Sequence, residues 1–221
     1  MTLQGQPHQL LLRSPLHMPK ESYKKYKESG VDLERFAIKF FTRPEAEVKD
    51  ADLVDIFQDW IRLQRLNHVM LDVADYRHVP NGPGVMLVTH EVNYAMDREN
   101  GEFGLYAQRK RGDEATAQDK LLGLVKSAAQ FGALLESDSR IGGKLKLEGG
   151  KFHYISNDRL GAPNTEETFN ALKPELEAIA TQLYPGKSIS VTRLKNDPGA
   201  RLTAVIEVNE AIDISALTTA A

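Results

Sequence analysis

The 221-residue chain contains no cysteine. That excludes disulfides, thiolate metal centres and thiol nucleophiles, and it suits a reducing compartment. No apolar run approaches the 18 or so residues a membrane helix needs. The Leu10-Leu11-Leu12 run has neither the length nor the cleavage site of a signal peptide, so a cytoplasmic protein without membrane contact is expected. Net charge is also scarce: a formal −3 offers no general electrostatic case for nucleic acid. No linker-like stretch interrupts the chain, whose length fits one domain able to bury about 70% of its unfolded surface.

Complete catalytic signatures are missing as well. Gly142-Gly143-Lys144 and Pro185-Gly186-Lys187 lack the glycine spacing of a phosphate loop, and each lysine is expected to begin a strand where a helix would be required. No serine stands in a nucleophile-elbow context. The sequence names no cofactor.

The region from His68 to Arg111 holds most of the unusual polar residues. Val69, Leu71 and Val73 alternate with Met70, Asp72 and Ala74, the period of a strand. After the turn-forming Pro80–Gly84 loop, Val85–Tyr94 alternates again and reads as one strand. Asn100-Gly101 is a strong hairpin signal, and placing it in the turn sets Glu91 opposite Lys110, Asn93 opposite Gln108 and Met96 opposite Leu105. With Asp72 near Thr89, one sheet face is expected to carry Asp72, Thr89, Glu91, Asn93, Gln108 and Lys110. The other carries Val88, Val92, Tyr94 and Leu105, with His90 among them.

Around these strands, residues 1–18 read as an irregular N-terminal arm, 19–210 as a single domain and 211–221 as a loosely held tail. The arm and the segment after it gather Arg13, Lys20, Lys24, Lys25 and Lys27 around Tyr23 and Tyr26, a pattern read as a solvated helical turn because acids follow at once. That helix spans 19–29. Val31–Arg43 is a strand, with Phe36, Ile38 and Phe40 on one face and Ala37 and Lys39 on the other. Asp50–Leu66 is a helix whose apolar stripe includes Trp60, a core anchor. Thr116 and Asp119 open a second helix with an unusually small surface at Gly123, Ala128, Ala129, Gly132 and Ala133. Asn164 or Thr165 caps a third, which contains Pro174. Hairpins are expected about Gly149-Gly150 and Asp197-Pro198-Gly199. The expected class is α+β, with an antiparallel or mixed sheet of about eight strands and three main helices on one face. A helix followed by two strands recurs three times, and Gly143 and Gly186 stand 43 residues apart, which hints at αββ repeats.

Asp72 interrupts an apolar strand, so it is either on a wet face or in a site where desolvation would raise its pKa toward general-base values. Glu91 and Lys110 share its expected face. His90 sits among apolar neighbours, with Asp75, Tyr76 and His78 in a loop at the sheet edge. His68, Asp72, Asp75, His78, His90 and Glu91 could supply metal ligands, but no spacing is diagnostic, and the adjacent His90 and Glu91 point to opposite faces, so no metal is expected. The favoured reading is a binding module for a small molecule or a protein, forming a homo-oligomer through sheet edges or the arm. In the alternative, an enzyme acts on a small polar substrate through Asp72, Glu91, Lys110 and His90, with Asp75, Tyr76, His78, Thr89, Asn93 and Gln108 binding the ligand.

Overall fold

Strand β1, Phe36–Thr42, lies inside the sheet because its alternate side chains can be buried on both faces. Phe36, Ile38 and Phe40 enter the main core, while Ala37 belongs to a smaller apolar cluster on the opposite face. The structure is a computed structural model, which describes residues 35–44, 46–80, 82–110 and 116–219. The expected arm over 1–18, the tyrosine-bearing basic stretch and the helix over 19–29 lie outside the described residues.

Eight antiparallel strands form one sheet in the order β2-β3-β4-β5-β1-β6-β8-β7. After β1 come helix α1 (Asp50–Leu63), the meander β2 (Met70–Asp75), β3 (Val85–Thr89), β4 (Val92–Asp97) and β5 (Gly104–Arg109), and then helix α2 (Ala117–Ser137). Strand β6 (Leu147–Ser156), helix α3 (Glu166–Leu183), β7 (Ile189–Arg193) and β8 (Thr203–Val208) complete the order. The class is α+β, and the three α-helices among the described residues pack against one face.

Helix positions follow their signals. Thr116 accepts from the Asp119 N–H and caps α2, and Thr165 accepts from the Thr168 N–H and caps α3. Trp60 is buried in a ring cluster with Phe57 and Phe131, and Phe131 in turn stacks on Tyr94 at 4.5 Å. At Gly132 of α2 an added Cβ would lie 2.7 Å from Leu147 Cδ1 and 2.9 Å from Ile214 Cδ1, so the small surface serves close packing on the sheet and on the C-terminal segment.

Five expectations are corrected. Val85–Tyr94 is two strands joined by a turn at His90-Glu91, held by Thr89, whose hydroxyl donates to the Val92 carbonyl and accepts from the Val92 N–H. Apolar residues stand at both parities on either side of that turn, so alternation alone hid the reversal. The β2–β3 pairing is shifted by one residue: Asp72 lies opposite Val88 beyond a bulge at Leu71, not opposite Thr89. Gly149-Gly150 does not turn the chain. Both glycines lie inside β6, where added Cβ atoms would come within 2.9 Å of the Asp213 backbone and 2.5 Å of the Glu210 carbonyl; they permit close approach of another segment. The αββ repeat therefore has no counterpart, since four strands follow α1, one follows α2 and two follow α3. Lastly, the tail expected to be loosely held is docked as far as Thr219, with Asp213 bridging to Glu148 and a 3-10 turn over Ile214–Thr218 burying Ile214 and Leu217.

Candidate functional site

The Asn100-Gly101 turn fixes the β4–β5 register as expected. Asn93 pairs with Gln108 and Met96 with Leu105, and the Lys110 N–H donates to the Glu91 carbonyl at 2.9 Å. Asn100 and Gly101 both adopt the left-handed conformation that this turn requires. The expected polar face nevertheless divides. Asp72, Asn93 and Gln108 lie in one cross-strand row on the face without helices, whereas Thr89 is fully buried on the helix side. Asp72 itself is exposed on the edge strand and, among the described residues, accepts only from the Val73 N–H. His90 is exposed at the β3–β4 turn, away from the apolar face where alternation put it. Glu91 is exposed at the same turn, and Lys110 Nζ donates to the Thr89 carbonyl at 2.8 Å. Asp75 is clamped by the Arg77 guanidinium, which holds its carboxyl at about 2. Tyr76 and His78 are exposed on the loop beyond it.

His68, weighed in the sequence only as a metal ligand, takes part in a hydrogen-bonded chain. Its Nδ1 meets Glu91 Oε2 at 2.9 Å, and its Nε2 meets the buried Tyr94 hydroxyl at 3.0 Å. Tyr94 also bonds Ser127 on α2, and burial raises its pKa. The chain ties the α1–β2 connection to the β3–β4 turn and the core. Among the described residues, no three His, Asp or Glu side chains form a metal-holding group.

A second polar assembly lies on the helix-free face. Lys39 on β1 pairs with Tyr106 on β5 and His153 on β6, so their side chains share one row. Lys39 Nζ passes over β5 to Asp97 Oδ1, at 2.5 Å, and also donates to the Glu102 carbonyl at 2.7 Å. The lysine and aspartate side chains are each only 5% exposed. Gly104 permits this crossing: a Cβ there would lie 3.0 Å from Lys39 Cε and 2.2 Å from the Phe40 carbonyl. Arg201 bridges Glu99, the Tyr106 hydroxyl and Asn157 on the same side of the sheet. His153 is 8% exposed, and burial, helped by Lys151 and Lys39, pushes its imidazole down to about 4. Its ring stands edge-on to Phe41 at 4.5 Å and makes no hydrogen bond among the described residues.

Beside this assembly, where β1 runs out, is a cleft of about 410 Å³ lined by Phe41, Thr42, Pro44, Ala46, Gly101, Glu102, Phe103 and Lys151. Its walls are held in place. Phe41 is backed by His153 and lies 5.7 Å from Lys39 Nζ. Phe103 has the Arg98 guanidinium 4.2 Å from its ring centre, and Arg98 is itself paired with Asp50. Thr42 donates from both N–H and hydroxyl to the Phe103 carbonyl. A smaller cleft of about 240 Å³ at the start of α1 includes Arg140, whose guanidinium is already committed to Asp138 and Asp59. Neither cleft contains Asp72, Glu91, Lys110 or His90. Sequence reasoning placed Lys39 on the second face of β1 but missed Asp97, His153 and Phe103. The available signals were a lysine within Phe36–Phe41 and a histidine within the apolar Phe152–Ile155.

No protein-family description matches the chain, and no curated protein matches it in sequence.

Proposed function

We propose that the protein is a binding module that holds a small molecule in the cleft at the end of β1. The supporting observation is the braced pair of rings, Phe41 and Phe103, in one cleft with two oppositely charged side chains, Lys151 and Glu102. The cleft is open and its lining is about as polar as apolar, and its volume lies within the usual range for a ligand site of about 300–1,000 Å³. Rings already fixed in place lose little further freedom on binding.

General acid/base catalysis by Asp72, Glu91, Lys110 and His90 has less support, because all four are exposed and neither cleft gathers them. Self-association through the β2 edge has Val69 and Leu71 in its favour, 65% and 53% exposed. The bulge at Leu71 and the carboxylate of Asp72 beside it are features that blunt an edge against pairing.

The test is a fragment panel followed by amide NMR on the whole chain. Shifts should cluster at Thr42, Ala46, Gly101–Phe103 and Lys151. Shifts confined to the Asp72, Glu91 and Lys110 region would favour the catalytic reading, and a silent cleft would end the binding one.

A further inference from the structure

Lys151 and Glu102 are the charged side chains that line the cleft. Lys151 has one acid nearby, Glu207 at 3.7 Å, with both side chains more than 40% exposed. So long and wet a contact is weak and leaves the ammonium available. The Glu102 carbonyl is fixed by Lys39 Nζ, while its carboxylate has no hydrogen bond or ion pair among the described residues. The cleft therefore offers one cation held only by a long, exposed contact, one anion without a partner among the described residues, and the apolar residues Phe41, Phe103, Pro44 and Ala46.

We infer that the cleft takes a free α-amino acid with an aromatic or branched aliphatic side chain, its carboxylate on Lys151, its ammonium on Glu102 and its side chain against Phe41 and Phe103. The inference rests on the binding reading above and adds the ligand's chemical class.

Two features favour a zwitterion over a singly charged ligand. A simple anion would leave Glu102 facing like charge, and a simple cation would do the same at Lys151. Lys39 stands behind Phe41, but Asp97 compensates its charge, so Lys151 and Glu102 set the polarity of the cleft. The groups that bear on His153 from its own and neighbouring strands are Lys151, Lys39 with its partner Asp97, and Glu207 through Lys151. Burial and the two lysines keep the imidazole uncharged near neutral pH, so it braces Phe41 without competing for the ligand's carboxylate.

The experiment compares phenylalanine with N-acetylphenylalanine, which lacks the ammonium, and phenylalaninamide, which lacks the carboxylate. Each is titrated into the whole chain and followed by amide NMR. Each exposed charge contact is worth up to about 1 kcal/mol, so phenylalanine should bind about fivefold tighter than either analogue. Lys151→Met should reduce phenylalanine to about the affinity of the amide and leave the amide no weaker, since the like charge it faced is gone. Glu102→Gln should reduce it to the affinity of the N-acetyl compound. Equal binding of all three compounds, or indifference to both substitutions, overturns the amino-acid inference while shifts at Phe41 and Phe103 preserve the binding reading. No cleft shift with any of the three also overturns it, and the binding reading then falls only if the fragment panel leaves the cleft silent too.

Discussion

Lys39 of β1 and Asp97 of β4 meet at 2.5 Å across the whole width of β5, through the gap left by Gly104. Removing one partner of such a buried pair leaves the other charge uncompensated, at a cost of about 3–5 kcal/mol. Asp97→Leu should therefore lower stability by that amount in guanidinium unfolding. The double variant Lys39→Met with Asp97→Leu should recover most of it. A single substitution costing under about 1 kcal/mol would mean the pair is not dehydrated as described.

Gly104→Ala tests the passage itself. The new methyl would press on the Phe40 carbonyl and on Lys39 Cε, which forces the β1–β5 ladder or the lysine to move. A loss of about 1–3 kcal/mol is expected. In the Lys39→Ala background no side-chain atom is left at the Cε position, so any penalty that persists unchanged belongs to the backbone contact alone.

His153 sets a pH dependence. The unfolded chain takes up a proton there below about 6.5, and the folded chain does so only near 4. Between those values the unfolded state binds more protons, so stability falls as pH falls, by up to roughly 3 kcal/mol at the lower end. Urea midpoints measured from pH 7.5 to 4 should show this slope, and His153→Phe should flatten it. An identical slope in both proteins would assign it to other groups.

Tyr94 and Glu91 both contact His68, but only Tyr94 is buried. Tyr94→Phe leaves His68 Nε2 and Ser127 without a partner while retaining the stack on Phe131, and should cost about 1–3 kcal/mol. Glu91→Gln should stay under about 1 kcal/mol, since the carboxylate is exposed. The reverse ranking would show that the turn depends on the ion pair.

Much of the fold was legible where a local rule had no competitor. Asn100-Gly101 set the β4–β5 register, and Thr116 and Thr165 announced their helices. Legibility failed where tertiary contact gave a local signal another meaning. Gly149-Gly150 looks like a turn until Ile212 and Asp213 are laid against it, and the bulge at Leu71 has no mark in a chain that alternates on both sides of it. The candidate site was harder still. Lys39 and Asp97 are 58 residues apart, and the cleft collects residues from positions 41–46, 101–103 and 151. No spacing rule reaches across segments that become neighbours only when β1 enters between β5 and β6.

The docking of Ile214 and Leu217 over α2 bears on the order of synthesis. The space against Gly132 and Leu147 is closed by residues made some 70 positions after β6 begins, and β1 waits for β5 and β6 before either of its edges is matched. A chain ending before residue 214 would leave the apolar surface around Gly132 and Leu147 uncovered, a greasy patch of the kind that draws unfinished chains together.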